Sequence, residues 1–169
     1  MVQTEATRMT AESPSQGTTL FLIGMRVTRP WRPLSWLSVM IEMPPMLWHL
    51  RRHRDAGMLA SRMYFGGSIL VVSYWRSGED LRRFAADTSA PHLPAWRRYS
   101  KRLADRNRVG IWHETYVIGE HETIYAGMPP WGLAEAVGHR PIGPTQATAQ
   151  RRLAASRTTP AQADAHQAL

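Results

Sequence analysis

The most constraining feature of this sequence is a set of short runs with large apolar side chains at both odd and even positions. The clearest are residues 18–28, 68–75 and 109–118. Because successive side chains of a strand point to opposite faces, such runs predict strands that are covered on both sides. Helices can cover one face of a sheet, and the same face of a second copy is the economical cover for the other. We therefore expect a two-fold homodimer.

The order of the predicted elements indicates the fold class. The elements are a strand at 18–28, a helix at 35–53 that Pro44 and Pro45 kink or split, strands at 57–65 and 68–75, helices from residue 77 and at 91–104, a strand at 109–118 and a short strand at 121–126. Gly66-Gly67 predicts a hairpin, and Ser77 is typical of a helix cap. The order β-α-β-β-α-β predicts a ferredoxin-like α+β fold, which closes with its copy into a dimeric α+β barrel.

Polar segments flank this predicted domain. Residues 1–17 and 138–169 are rich in Thr, Ser, Gln, Ala and Arg and have few large apolar side chains. Segments of this composition bury too little apolar surface to fold. We therefore expect a folded domain at 18–137 between disordered N- and C-terminal tails.

Composition and charge exclude several classes of function. The chain has no cysteine, which excludes disulfides and thiolate metal sites. Its net charge of +8 comes from arginines spread over the whole chain, with Lys101 the one lysine. The local cluster Arg51-Arg52-His53-Arg54 fits a helix end, where cations complement the dipole, so we expect no nucleic-acid partner. No run is long enough to span a membrane and residues 1–17 lack a signal-peptide core, so we expect a cytoplasmic protein without a membrane partner.

Two histidines are the candidates for chemistry. His92 opens a predicted helix and shares its face with Trp96, Tyr99 and Leu103. The positive end of the helix dipole disfavours imidazolium there, and neutral imidazole is the form that ligates metals. His113 lies in a predicted buried strand, on a mostly apolar face. The two rings could face one cavity, although each is equally consistent with a hydrogen-bonded core histidine.

Several segments together resemble one family. They are Gly24-Met25-Arg26, Tyr74–Leu81, His92–Trp96, Gly110–Tyr116 and Tyr125–Gly132. The sequence is similar to the monooxygenases related to the fumagillin-pathway monooxygenase, within the antibiotic-biosynthesis-monooxygenase-like dimeric α+β barrels. The resemblance covers essentially residues 24–132, and it implies the same fold as the apolar patterning.

A more distant resemblance implies a cofactor. The haem-containing aldoxime dehydratases have a similar His-x-x-x-aromatic helix start and a similar Tyr/Trp-His-Glu strand. The resemblance implies haem b with His92 on the iron, Trp96 and Trp112 beside the cofactor, and His113 as the distal acid/base. This chain departs in having one such domain and no matching distal Arg or Ser. Arg26 is a substitute for that arginine, or a strand-end residue that reaches water.

The leading functional hypothesis is a small haem-dependent oxidoreductase of the monooxygenase type, acting on an apolar small molecule in secondary metabolism. One alternative is a cofactor-free monooxygenase in which His113 or His92 deprotonates the substrate. Two others are an aldoxime-dehydratase-like lyase and a non-catalytic module that binds haem or a small ligand. The sequence has no Gly-rich phosphate loop, HExxH motif, nucleophile elbow or carboxylate cluster, which disfavours nucleotide binding and carboxylate catalysis.

Overall fold

A four-stranded antiparallel sheet is the centre of the fold. The computed structural model describes residues 7–27, 47–87 and 109–158. Its strands are β1 (Arg8–Ala11), β2 (Thr19–Val27), β3 (Met58–Phe65), β4 (Ile69–Trp75), β5 (Val109–Val117), β6 (Tyr125–Ala126) and β7 (His139–Pro141). The main sheet has the order β3-β4-β2-β5, and each neighbouring pair is antiparallel. This arrangement confirms the predicted ferredoxin-like α+β class.

The β3–β4 hairpin follows directly from its turn residues. Phe65 pairs with Ile69, which leaves Gly66, Gly67 and Ser68 to form the connection. Neither glycine has a positive φ, and the flanking apolar residues pair once the chain reverses. The predicted hairpin at Gly66-Gly67 is confirmed.

Two helices lie within the segments that were predicted to be helical. Residues 47–52 form helix α1, and Gly78–Ala86 form helix α2. The rest of the predicted helix at 35–53, with its two prolines, lies mostly outside the described residues, and the predicted helix at 91–104 lies wholly outside them. Ser77 caps α2, because its side chain accepts a hydrogen bond from the Asp80 backbone N–H at 3.0 Å. The predicted cap is confirmed.

Asp80 anchors α2 to the end of the sheet. Its carboxylate is buried and accepts hydrogen bonds from Arg76 Nε at 2.7 Å and Arg83 Nη1 at 3.0 Å. The hydrogen bond from Arg76 is the main reason that the pKa of Asp80 lies below its usual value. Gly57 allows the Asp80 side chain to pack directly against the backbone before β3, because a Cβ at position 57 would lie 2.5 Å from the Asp80 Cβ.

The two faces of the main sheet differ, and we call them inner and outer. The inner face carries the odd-numbered residues of β2, with Phe21, Ser73 and Thr115 directly opposite one another. Phe21 packs against a buried core formed by Leu50, Met58, Trp75 and Leu81. Helices α1 and α2 therefore cover part of the inner face. The outer face carries the even-numbered residues of β2.

The structure corrects the prediction that both flanking segments lack structure. Residues 8–11 and 139–141 form strands of a small sheet with the order β6-β1-β7. Helix α3 (Leu133–Val137) precedes β7, and helix α4 (Ala149–Thr158) follows it. Arg152 anchors α4 through an ion pair with Glu122, a kind of long-range polar contact that apolar patterning cannot detect. Residues 1–6 and 159–169 lie outside the described part of the chain.

Part of the outer face is covered by the chain itself. Trp131 donates its Nε1–H to the Tyr64 hydroxyl at 2.9 Å, and the Arg62 guanidinium lies 3.4 Å from the centre of the Trp131 ring. Arg62 also pairs with Glu135 of α3 at 2.6 Å. Because Arg62 and Tyr64 lie on the outer face of β3, the segment around Trp131 covers the β3–β4 side of that face. We expected a second copy to cover the outer face. On the β3–β4 side, the chain itself covers it.

Candidate functional site

His113 projects from the inner face of β5. It lies directly opposite Ile23 of β2, and its ring centre is 5.9 Å from that of Phe21, with the planes tilted by 41°. The side chain is exposed, and within the described residues its imidazole makes no hydrogen bond. An accessible imidazole whose nitrogens no described group engages can hold or move a proton for a bound molecule.

The exposure of His113 corrects the prediction of a buried strand. Residues 112–117 of β5 are all exposed, and within the described part of the chain β5 pairs with β2 alone. Apolar composition predicted the strand but not its position in the sheet. Burial therefore gives no reason for His113 to have a structural hydrogen-bond partner.

The surroundings of His113 are apolar. Phe21, Ile23 and Ile111 are half-buried residues of the same inner face. Their side chains would contact the hydrocarbon surface of a ligand while the imidazole contacts its polar atom. One histidine in an aromatic and aliphatic setting fits the distal side of a haem, where polarity and access decide the chemistry.

Trp112 and Arg26 lie on the opposite face of the sheet. Trp112 pairs with Gly24, and a Cβ at Gly24 would lie 2.3 Å from Cε2 of its indole. Arg26 is exposed and pairs with Gly110. Both side chains therefore belong to the outer face, and the structure does not bring either one together with His113.

A polar pair on the outer face escaped the sequence analysis. The Tyr116 hydroxyl donates a hydrogen bond to Glu114 at 2.8 Å, which raises the pKa of Tyr116 above its ordinary value. The two residues are separated by one position in β5, so period-two patterning puts them on one face and could have found them. They lie beside Trp112, away from His113.

Two of the predicted site residues are not described by the structure. His92 and Trp96 lie outside the described residues, so the convergence of His92 and His113 stays a prediction. In the described parts of the chain, no group of three or more His, Cys, Asp or Glu side chains is placed to hold a metal ion. No helix there is long and apolar enough to cross a membrane.

A small polar cavity lies in the C-terminal part of the fold. Its volume is about 30 Å³, and its lining includes Thr10, Thr123, Arg140 and Arg152. Arg152 is buried and donates to Glu122 and to the Gln146 and Ala147 carbonyls. This cavity has room for about one water molecule, and Arg152 is already paired. The cavity is therefore a structural feature of the C-terminal segment.

Comparison with known proteins identifies the family. The family model for monooxygenase af470-like proteins matches residues 18–133, well over half of the chain. The chain belongs to the monooxygenase af470-like family. The matched range spans the main sheet of this monooxygenase-like chain and ends at the start of α3, and it confirms the family resemblance found in the sequence.

Solved structures agree on the fold. An aldoxime dehydratase, OxdRE, in complex with butyraldoxime has a TM-score of 0.55 and 16% identity, covering 66% of this monooxygenase-like chain and 34% of its own. A second aldoxime dehydratase has a TM-score of 0.55 and 18% identity, covering 66% and 35%. SnoaB, a cofactor-independent oxygenase from Streptomyces nogalater, has a TM-score of 0.43 and 15% identity, covering 62% and 96%. The aligned part thus spans about a third of each aldoxime dehydratase. No curated protein matches the chain.

Proposed function

We propose that this chain is an oxygenase-type enzyme of secondary metabolism that holds an apolar small molecule on the inner face and uses His113 as the acid/base. One observation carries the proposal: the imidazole of His113 is accessible, lies beside Phe21 and makes no hydrogen bond within the described residues. Membership of a monooxygenase family supports the oxygenase class.

In this proposal the apolar side chains of the inner face exclude water, and His113 transfers the proton. Phe21 and Ile23 would exclude water from one side of the ligand, because apolar contact displaces the solvent that competes for polar groups. His113 would then accept a proton from the substrate or return one to the product. A well-placed acid/base of this kind contributes roughly 10²–10⁴-fold to a rate.

We further propose that haem b is the cofactor and that His92 holds its iron, as the resemblance to aldoxime dehydratases implies. Bound haem would supply an iron centre for O2 or an N–O group. His113 would hold or move a proton for the bound molecule, and its apolar neighbours Phe21, Ile23 and Ile111 would contact the rest of that molecule. Arg26 and Trp112 are not assigned to this pocket, because both lie on the outer face of the sheet.

An absorption spectrum tests the haem assignment. The purified protein, reconstituted with haemin, should develop a Soret band that His92→Ala abolishes and His113→Ala retains. His121→Ala is the matched control, since His121 is a loop histidine whose Nδ1 bonds its own Gly119 carbonyl at 2.9 Å. A Soret band that persists unchanged in His92→Ala rejects the assignment of His92.

Cofactor-free oxygenation is the second candidate, and the same accessible imidazole favours it. His113 would remove a proton from an acidic apolar substrate, and the resulting carbanion would react directly with O2. Oxygen uptake by haem-free, chelator-treated protein with a panel of hydroxyaromatic compounds tests this candidate. Uptake that His113→Ala abolishes supports it, whereas uptake that appears only after haemin is added rejects it.

We propose a homodimer that buries the uncovered half of the outer face. Trp112 is 38% exposed and Tyr116 is 50% exposed there, beside half-buried Leu20 and Leu22. Glu114 lies between the two aromatic side chains, and an exposed surface with aromatic groups around a polar one can form an interaction site. A two-fold axis would place the same surface of a second copy against it.

A further inference from the structure

Arg26 has no role in the proposed active site, and no described residue engages it. Its side chain is exposed on the outer face of β2, and it makes no hydrogen bond or ion pair within the described part of the chain. A guanidinium forms strong, charge-assisted hydrogen bonds with carboxylates. Arg26 can therefore pair with a carboxylate that a second molecule supplies.

The uncovered half of the outer face carries one cation and one anion. This half consists of the even-numbered residues of β2 and β5, which are Leu20, Leu22, Gly24, Arg26, Gly110, Trp112, Glu114 and Tyr116. Arg26 and Glu114 are its charged residues, and both are exposed. The other members are glycines, leucines and aromatic residues, so these two charges decide the electrostatics of the surface.

The two charges lie on opposite sides of the row formed by Gly24 and Trp112. Arg26 is two residues from Gly24 along β2, and Glu114 is two residues from Trp112 in the opposite direction along the sheet. Their separation along the strands is about 13 Å, at about 3.3 Å per residue. Within the described residues no ion pair joins them, and Glu114 accepts a hydrogen bond from the Tyr116 hydroxyl at 2.8 Å.

Two-fold symmetry makes this surface complementary to itself. A two-fold axis that lies between two facing copies and crosses the Gly24–Trp112 row reverses the direction along the strands. The end that carries Arg26 then lies over the end that carries Glu114 of the partner subunit, and the contact occurs twice. A Cβ at Gly24 would lie 2.3 Å from Cε2 of the Trp112 indole, so the indole lies close against the sheet at the centre of the surface. The two faces can therefore approach each other there.

We propose that Arg26 forms an ion pair with Glu114 of the partner subunit, and that two such pairs flank the Trp112 indoles and set the register of the homodimer. This inference rests on the proposed homodimer and does not depend on His113, on haem or on the reaction. Complementary charges select one arrangement of two surfaces, because arrangements that bring like charges together are strongly disfavoured. Arg26 then acts in assembly and not in the inner-face pocket.

Charge reversal tests the pairing. In analytical ultracentrifugation at low salt, Arg26→Glu and Glu114→Arg should each raise the dimer dissociation constant roughly tenfold or more, because like charges then meet at both contacts. A mixture of the two variants should form a mixed dimer, since each chain supplies the charges that the other lacks. Native mass spectrometry separates the mixed dimer from the homodimers. The double variant Arg26→Glu/Glu114→Arg should again dimerise with itself.

Arg82→Glu and Glu79→Arg are the matched controls. The two residues form an exposed ion pair at 2.8 Å on α2, the helix that covers part of the inner face. Each control changes the net charge as its outer-face counterpart does, yet should leave the dissociation constant unchanged, and a mixture of the two should not favour the mixed dimer. High salt should reduce the difference between the wild type and the outer-face variants, because mobile ions screen exposed charges.

The possible outcomes distinguish the ion pair from the homodimer. Weakened dimers in both variants, with recovery in their mixture, support the ion pair and show that the variant chains are folded. A wild-type dimer that either variant leaves intact, or a loss that mixing does not reverse in chains with wild-type circular dichroism, overturns the ion pair alone. A wild-type chain that sediments as a monomer overturns the homodimer as well.

Neutral variants keep the test decisive where a charge-reversed chain does not fold. Arg26→Gln and Glu114→Gln should each weaken the dimer less than charge reversal does. Their mixture should favour the mixed dimer, because one of the two ion pairs is then regained. Equal amounts of mixed and unmixed association would overturn the pairing.

Discussion

Replacing Gly24 by alanine tests the placement of Trp112 on the outer face. A Cβ at Gly24 would lie 2.3 Å from Cε2, 2.4 Å from Nε1 and 2.6 Å from Cζ2 of the Trp112 indole. Real Cβ atoms do not approach other atoms so closely, so the indole must leave its position. The indole can move outward, because Trp112 is on an edge strand and partly exposed.

The cost follows from the covered surface of the indole. Trp112 is 38% exposed, so roughly three-fifths of a side chain that typically buries about 150–250 Å² is covered, or about 90–150 Å². Exposing all of it would cost about 2–4 kcal/mol at about 25 cal/mol per Å². Only the side of the ring against Gly24 must separate, so we expect about half, roughly 1–2 kcal/mol. That loss lowers the melting temperature by about 2–8 °C in a chain of this size.

Urea and thermal denaturation measure the effect, with Gly110→Ala as the control. Gly110 is also a strand glycine of the main sheet, but a Cβ there meets no atom within 4 Å. It should change stability by less than about 0.5 kcal/mol. In a Trp112→Ala background, Gly24→Ala should cost almost nothing, because the clashing ring is gone. A Gly24→Ala penalty that is equal in both backgrounds refutes the proposed contact.

Three other substitutions test separate features of the structure. Asp80→Asn should cost about 1–3 kcal/mol at pH 7. Because the folded pKa of Asp80 is lowered, its stabilisation is present above the ordinary aspartate pKa of about 4 and is lost as pH falls through the lower folded pKa. The stabilities of wild type and variant in urea titrations should therefore converge as the pH is lowered through that pKa. Arg152→Ala should speed hydrogen exchange across α4 without changing exchange in β4, and uniform loss of protection would contradict local anchoring. Tyr116→Glu, on the outer face, should dissociate the proposed dimer in light scattering, whereas Val117→Glu, on the inner face and 68% exposed, should not. Equal effects of the two substitutions would reject this interface.

The sequence was sufficient for the main sheet because its signals are local. Gly66-Gly67 predicts the hairpin through turn chemistry, and Ser77 predicts the start of α2 through its cap, each within a few residues. Period two also put His113 on a mostly apolar strand face, and Ile23 lies opposite it in the observed register. Local rules of this kind do not require knowledge of distant partners.

Other features depend on distant partners and were missed or misjudged. The ordered C-terminal segment depends on Arg152 reaching Glu122, a contact between residues that apolar patterning does not relate. The exposure of β5 depends on which elements pack over its two faces, and strand composition does not reveal this. The outer-face location of Trp112 could have been predicted, because adjacent strand residues point to opposite faces and Trp112 is adjacent to His113. Gly24, opposite Trp112, leaves the space that the indole needs.

Adjacent residues of β5 serve two different proposed properties, self-association and proton transfer, which can change independently. Trp112 and His113 are adjacent in the chain, yet one side chain points away from the helices and the other towards them. Mutational libraries restricted to even-numbered positions of this strand should retune self-association while sparing turnover, and odd-numbered libraries should do the reverse. A family built on such a strand can diversify its chemistry and its assembly along separate evolutionary routes.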